Sequence, residues 1–169
     1  MKIAFLRAGT IVLPPLPKWP GGRTYCTMNH VEQAIRQFSP LCRIEPAKDS
    51  TFILVPFDFL PTAIAWTLSL QRQMGGFKKE SRDCDDFADA FDLAISWMCS
   101  NAGIEAAPAV GCISVIQAEA WANVSAGGSH APNVIMTERG AVVAEPQNGQ
   151  FCSMQDYPNR TRLFIADSF

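Results

Sequence analysis

Two spacings of apolar residues organise this chain. From Asp83 to Asn101, Cys84, Phe87, Ala88, Phe91, Ile95 and Met98 recur three or four residues apart. That spacing puts one apolar stripe on a helix. Asp83, Asp85 and Asp86 crowd its first turn, where carboxylates favour the positive end of the helix dipole, and Gly103 is a natural stop. A second helix is predicted over Pro61 to Met74, with proline in its first turn and Gly75-Gly76 after it. A shorter one is predicted over Asn29 to Phe38, with Asn29 as N-cap and Ser39-Pro40 as the stop.

The other spacing is that of strands. Lys2 to Leu6, Thr10 to Leu13, Thr51 to Phe57, Val110 to Gln117 and Arg162 to Ala166 are short, apolar and partly β-branched. Val134 to Met136 and Ala141 to Ala144 read as a hairpin around Thr137-Glu138-Arg139-Gly140. Pro14 to Gly22, Phe77 to Arg82 and Trp121 to Ser129 read as loops. A mixed start, then a long helix, then several strands predicts an α+β fold, with an antiparallel sheet packed on a central helix.

Length and charge narrow the function classes. A chain of 169 residues suits one domain over residues 1–169. A net charge of −2 lacks the basic excess of a nucleic-acid binder. The uncharged apolar runs Phe59 to Gln71 and Ala106 to Ala118 are 13 residues each, too short to cross a bilayer. Arg7 and three prolines interrupt the apolar start, which argues against a signal peptide. The expectation is a cytoplasmic protein with reduced thiols and neither membrane nor nucleic-acid partners. Six cysteines without a CxxC pair argue against a zinc ribbon or a thioredoxin-type site. Imidazole chemistry has two candidates, His30 and His130.

Cys84 opens the best helix, and unpaired N–H groups there favour a thiolate. The adjacent aspartates oppose it, so a cationic imidazole is needed. His130 precedes Ala131-Pro132, which pushes it toward extended geometry at the mouth of a strand. Glu145 ends the partner strand. With a loop over Thr137 to Gly140, Met136 faces Ala141 and Glu145 falls opposite Pro132, diagonal to His130. A cysteine, a histidine and an orienting acid make a constellation for nucleophilic chemistry. Cys26 and His30, four residues apart, are a weaker alternative for a metal or a second dyad and read as structural. Trp19, Trp66, Trp97 and Trp121 read as core or surface anchors.

The segment Asp83-Cys84-Asp85-Asp86-Phe87-Ala88, the histidine of His130-Ala131-Pro132-Asn133-Val134, and the motif Glu145-Pro146-Gln147 together resemble papain-like and transglutaminase-like cysteine hydrolases. The nearest subgroup is the protease domain of the Marasmius oreades agglutinin with related small phage and bacterial proteins. The resemblance covers roughly Asp83 to Gln150. It implies a papain-like fold, with Cys84 as nucleophile, His130 as general base and acid, and Glu145 as orienting acid. It implies hydrolysis of peptide or amide bonds through a thioester, with a peptide or protein substrate. The Cys84 N–H is the natural first oxyanion donor. Gln147 and Gln73 are candidates for the second, with Gln71 also upstream of the cysteine. The resemblance further implies calcium or manganese dependence, with Asp85 and Asp86 as candidate ligands beside their plainer role at the helix start. Two alternatives share these residues. One is a non-catalytic phage or bacterial interaction protein on a degenerate hydrolase fold. The other is an amidase, deamidase or transglutaminase. A phage-encoded protein acting in the host cell is the implied setting.

Overall fold

A computed structural model describes residues 13–47, 49–74, 83–167 and 169. The predicted strand Lys2 to Leu6, all of Thr10 to Leu13 except Leu13, the loop Phe77 to Arg82 and the stop at Gly75-Gly76 lie outside the described residues.

The chain enters β1 (Tyr25–Thr27) and turns directly into α1 (Met28–Arg36). Thr27, not Asn29, caps α1: its backbone N–H donates to Nδ1 of His30 at 3.1 Å. Cys26 is therefore buried on a strand while His30 sits exposed in a helical turn, and the two share no helix face. β2 (Arg43–Ile44) and β3 (Thr51–Ile53) follow. A 3-10 turn at Phe57–Phe59 leads into α2 (Leu60–Met74). Next come α3 (Cys84–Asn101), β4 (Ala107–Pro108) and β5 (Val110–Ile116). β6 (Ser129–His130), β7 (Asn133–Thr137), β8 (Gly140–Ala144), β9 (Phe151–Ser153) and β10 (Leu163–Asp167) complete the chain.

These strands form two sheets. β1, β3 and β4 make a small one; the larger one runs β2-β10-β5-β7-β8-β9, with β6 also paired to β5. This corrects the expected papain-like arrangement of one antiparallel sheet on a central helix. The described residues contain ten strands, and two pairings, β10 with β2 and β3 with β4, are parallel. Parallel neighbours need long connections, so they join segments far apart in sequence.

Both faces of the large sheet are covered. On one, Phe91, Ile95 and Met98 of α3 and Leu60 and Ile64 of α2 pack against Val110, Ile135, Val142 and Ala144. On the other, Val31 and Ile35 of α1 meet Ile113, Val115, Val134, Val143, Met154 and Tyr157. Every residue of β7 is buried, which is why that strand is a continuous apolar run broken only at its ends. Gly111 allows the C-terminal segment to lie close. A Cβ there would stand 2.6 Å from the Asp167 carbonyl oxygen and 2.6 Å from the Phe169 ring. Among the described residues, no helix is long and apolar enough to cross a membrane.

Candidate functional site

β7 and β8 join through Glu138-Arg139, and Met136 pairs with Ala141 and Asn133 with Ala144. Pro132 and Glu145 follow directly on that last pair. Upstream, β6 pairs with β5 so that His130 faces Val115, and the Pro132 carbonyl accepts from the Ile113 N–H at 2.9 Å. Both flanks of the Ala131-Pro132 break are thus tied to β5, which fixes where the imidazole points.

Glu145 is wholly buried and His130 is 5 % exposed. His130 Nε2 and Glu145 Oε2 lie 2.5 Å apart. The other carboxylate oxygen, Oε1, accepts the backbone N–H of Gln147 at 3.0 Å. Burying a carboxylate is costly unless it is paired and hydrogen-bonded, and here both oxygens have a donor. The ring also shares a hydrogen bond with Cys84. Burial pulls the His130 pKa down; hydrogen bonds from the ring to Cys84 and Glu145 and the charges of both outweigh it, and the group is pushed up to about 9. The two partners thus favour the protonated form of the imidazole. With Nε2 committed to Glu145, Nδ1 is the ring nitrogen left for the thiol.

Cys84 is half-buried at the first position of α3 and packs on Ala88, Cys112 and Ala131. Two buried amides hold this helix. Gln71 Nε2, from α2, donates to the Phe87 carbonyl at 3.1 Å. Asn133 Nδ2, from β7, donates to the Ala88 carbonyl at 3.1 Å and the Gly111 carbonyl at 3.3 Å. Sequence reasoning passed over Asn133, although a polar residue opening an apolar strand was a readable signal. Gln71, upstream of the cysteine, is no oxyanion donor here because its amide nitrogen is spent on the helix. Gln147 contributes its backbone N–H to Glu145. Gln73 is exposed near the end of α2.

The candidate metal ligands have a different occupation. The Asp83 N–H donates to Asp86 Oδ2 at 3.2 Å, closing the helix start. Asp83 is pushed up to about 6, first by a hydrogen bond shared with Asp85, then by partial desolvation and by repulsion from Asp85 and Asp86. The same hydrogen bond lowers Asp85. Carboxylate oxygens of the three lie within 4.8 Å of one another. Calcium takes about six to eight oxygens, and this group offers three residues, two of them exposed. Asp85 and Asp86, with Asp83, would supply part of a ligand set, the remaining positions falling to other oxygens. A separate cleft of about 620 Å³ lies at the far end of α3, beside Ser96, Ser100 and Glu105, away from Cys84.

No family model and no curated protein matches the chain. Solved structures do. A structure described as a PSL1a–E64 complex superposes with a TM-score of 0.63 at 20% identity, over 84% of this chain and 49% of that one. A second, described as Polyporus squamosus lectin bound to the human-type influenza-binding epitope Neu5Aca2-6Galb1-4GlcNAc, gives 0.60 at 20%, over the same shares. The chain thus spans about half the length of the structures it matches. They are described as a lectin and its complexes, not as a protease. That finding corrects the expected papain-like or transglutaminase-like family and, with it, the cysteine peptidase or amidase and its peptide or protein substrate. It gives no support to the phage or bacterial interaction protein either. What the likeness establishes is the fold: this chain folds like about half of a Polyporus squamosus lectin chain.

Proposed function

We propose that the chain is a ligand-binding domain whose binding centre is an activated thiol. Cys84 is the ligand-capturing atom, His130 its charged partner, and Glu145 the buried anchor of His130. One observation carries this reading: a fully enclosed imidazole–carboxylate pair aimed at a thiol on a helix start. A structural cysteine needs no such partner, whereas a sulfur at a helix start with an imidazole beside it is placed to meet an electrophile. One of the similar structures is described as a complex with E64, an epoxide of the kind that thiols open. The sulfur attacks one ring carbon, the carbon–oxygen bond breaks, and the freed oxygen takes the imidazolium proton. The product is one adduct per chain, without turnover.

Incubation with E64 followed by intact and peptide mass spectrometry tests the reading. The expected result is a single adduct on Cys84, lost in Cys84→Ala and slowed at least tenfold in His130→Ala. Adducts spread over the six cysteines, or none, would overturn it.

A second reading rests on the other similar structure, which holds a sialylated glycan. If this half of the lectin fold carries glycan recognition, the chain binds Neu5Aca2-6Galb1-4GlcNAc in titration calorimetry. A flat titration at millimolar glycan removes that reading and leaves the thiol centre untouched.

A further inference from the structure

Glu145 stands at the head of a tight connection. β8 ends at Ala144 and β9 begins at Phe151, so residues 145–150 make the turn between them. The Glu145 N–H donates to the Gln150 carbonyl and the Gly149 N–H to the Glu145 carbonyl, each at 2.8 Å. Asn148 Oδ1 accepts the Gln150 N–H at 2.9 Å, the local turn that an asparagine side chain makes with the second residue on. Gly149 has a φ of 79°, and a Cβ there would stand 2.6 Å from Ile64 and from Leu68 of α2. The connection is thus pressed against α2. Its Gln147 N–H is the donor that orients the Glu145 carboxylate. The shape of this turn therefore sets the carboxylate that holds His130.

A second turn meets it. The Trp121 N–H donates to the Val124 carbonyl at 3.1 Å, and the Val124 N–H returns to the Trp121 carbonyl at 2.8 Å. Between them Ala122 and Asn123 have φ of 51° and 63°. Two successive left-handed residues suit asparagine and glycine, and alanine there is strained. Such strain persists only where the surroundings hold it. Here Gln117 Nε2 donates to the Val124 carbonyl at 3.3 Å, and the Trp121 ring lies edge-on to Tyr157 with centroids 4.9 Å apart. The Ala122 carbonyl itself accepts from Asn148 Nδ2 at 2.5 Å. The segment carrying this turn leaves β5 at Ile116 and returns at Ser129, one residue before His130. One exposed side chain, Asn148, thus ties the turn that carries Glu145 to the loop that ends on His130.

We propose that Asn148 is a positioning residue of the thiol centre: by locking the strained Trp121–Val124 turn to the Glu145 turn, it keeps the Glu145 carboxylate on His130. This deepens the activated-thiol reading and rests on it, because what is positioned is the partner of Cys84. The two bonds of Asn148 reach Gln150 and Ala122, not the thiol or the imidazole, so it acts through Glu145. Without it the strained turn relaxes, the Glu145 turn loses its brace on that side, and the carboxylate holds the imidazole less firmly. Burial then lowers the proton affinity of His130, since Glu145 is one of the two groups that oppose it.

Imidazole NMR titration of the full chain tests it. The sequence has two histidines, and the exposed His30 is a reference within the same sample. Asn148→Ala should lower the pH at which His130 titrates by about half a unit or more, about threefold in proton affinity, and leave His30 unmoved. Asn148→Ser keeps a short acceptor for the Gln150 N–H but cannot reach Ala122, and His130 should move in the same direction. Ala122→Gly removes the strain, so adding it to Asn148→Ala should return His130 toward its titration in the unaltered chain. The pH profile of Cys84 alkylation by iodoacetamide should shift with His130 in each variant and return with it. Asn148 is exposed, so neither of its variants opens the core. An unmoved His130 in both Asn148 variants, a shift shared equally by His30, or a shift that Ala122→Gly does not reverse overturns the proposal. A Cys84 that stays inert in the unaltered chain sinks the activated-thiol reading alone. The His130 titration needs no reactive thiol and still decides whether Asn148 places the carboxylate.

Discussion

Glu145 is the residue whose removal reports most directly on the site. Truncation to alanine takes away a buried carboxylate with two bonds, one to His130 at 2.5 Å and one to the Gln147 N–H at 3.0 Å. It leaves an imidazole that is 5 % exposed without its partner. Breaking a buried charge pair from one side costs about 3–5 kcal/mol. Glutamine keeps the side-chain shape and one acceptor oxygen but meets two donors with it, so one donor faces an NH₂ group. Leaving one buried donor unmet costs about 1–3 kcal/mol. Glu145→Ala should therefore destabilise the chain about twice as much as Glu145→Gln, read as the shift of urea midpoint at constant slope. Both variants should also lower the His130 pKa, because burial pulls it down and Glu145 is one of its two counterweights. The rate of Cys84 alkylation by iodoacetamide at pH 7.5 then falls in Glu145→Gln even where the fold is intact. The reasoning is refuted if Glu145→Ala costs less than about 1 kcal/mol, or if Glu145→Gln leaves the alkylation profile against pH unchanged.

Three other outcomes are expected. Gly111→Ala puts a Cβ 2.6 Å from a backbone oxygen of Asp167; overpacking of that kind costs about 1–3 kcal/mol, measurable by urea unfolding. Asp92 is pushed up to about 7, by burial first and Asp89 second. The native chain holds that proton longer than the unfolded chain, so a penalty grows as pH rises from about 4 and is complete above about 7. Asp92→Asn should accordingly stabilise at pH 8 and change little at pH 4, and equal effects at both would contradict the assignment. Asp83→Ala removes the N-cap of α3 and should lower the melting temperature, whereas Asp83→Asn keeps an acceptor, relieves repulsion from Asp85 and Asp86, and should hold it.

Some of this was legible in the residues because it is local. The α3 stripe needs only three- and four-residue spacing, and it runs over Cys84–Asn101 as read. Met136 does face Ala141 as read, although Thr137 pairs with Gly140 and the turn is Glu138-Arg139, shorter than the expected Thr137 to Gly140. The parts that were not legible are long-range or too short to carry a period. β2 and β4 have two residues each and are strands only because β10 and β3 run beside them in parallel. The cap of α1 fell on Thr27 because His30 supplies the return bond, a pairing that Asn29 concealed. In the site, the positions of Cys84, His130 and Glu145 were visible as residue types, but the amides that hold them, Gln71 and Asn133, do their work through backbone carbonyls of another element. No pattern in one segment announces such a bond. The likeness to a lectin chain was equally out of reach, at 20% identity.

Those two amides have a mechanical consequence. Adjacent carbonyls of α3, at Phe87 and Ala88, are gripped by α2 and by β7. A helix held at two neighbouring points on different sides can neither slide along its axis nor roll without breaking a buried bond. Its first turn, which would ordinarily fray, is stiffened a turn inward from its tip. In hydrogen–deuterium exchange, amides just beyond Phe87 should therefore open only with the whole fold, and Asn133→Ala should convert them to local opening. The distance between sulfur and imidazole is then kept by tethers in the interior, not by the capping bonds at the exposed tip.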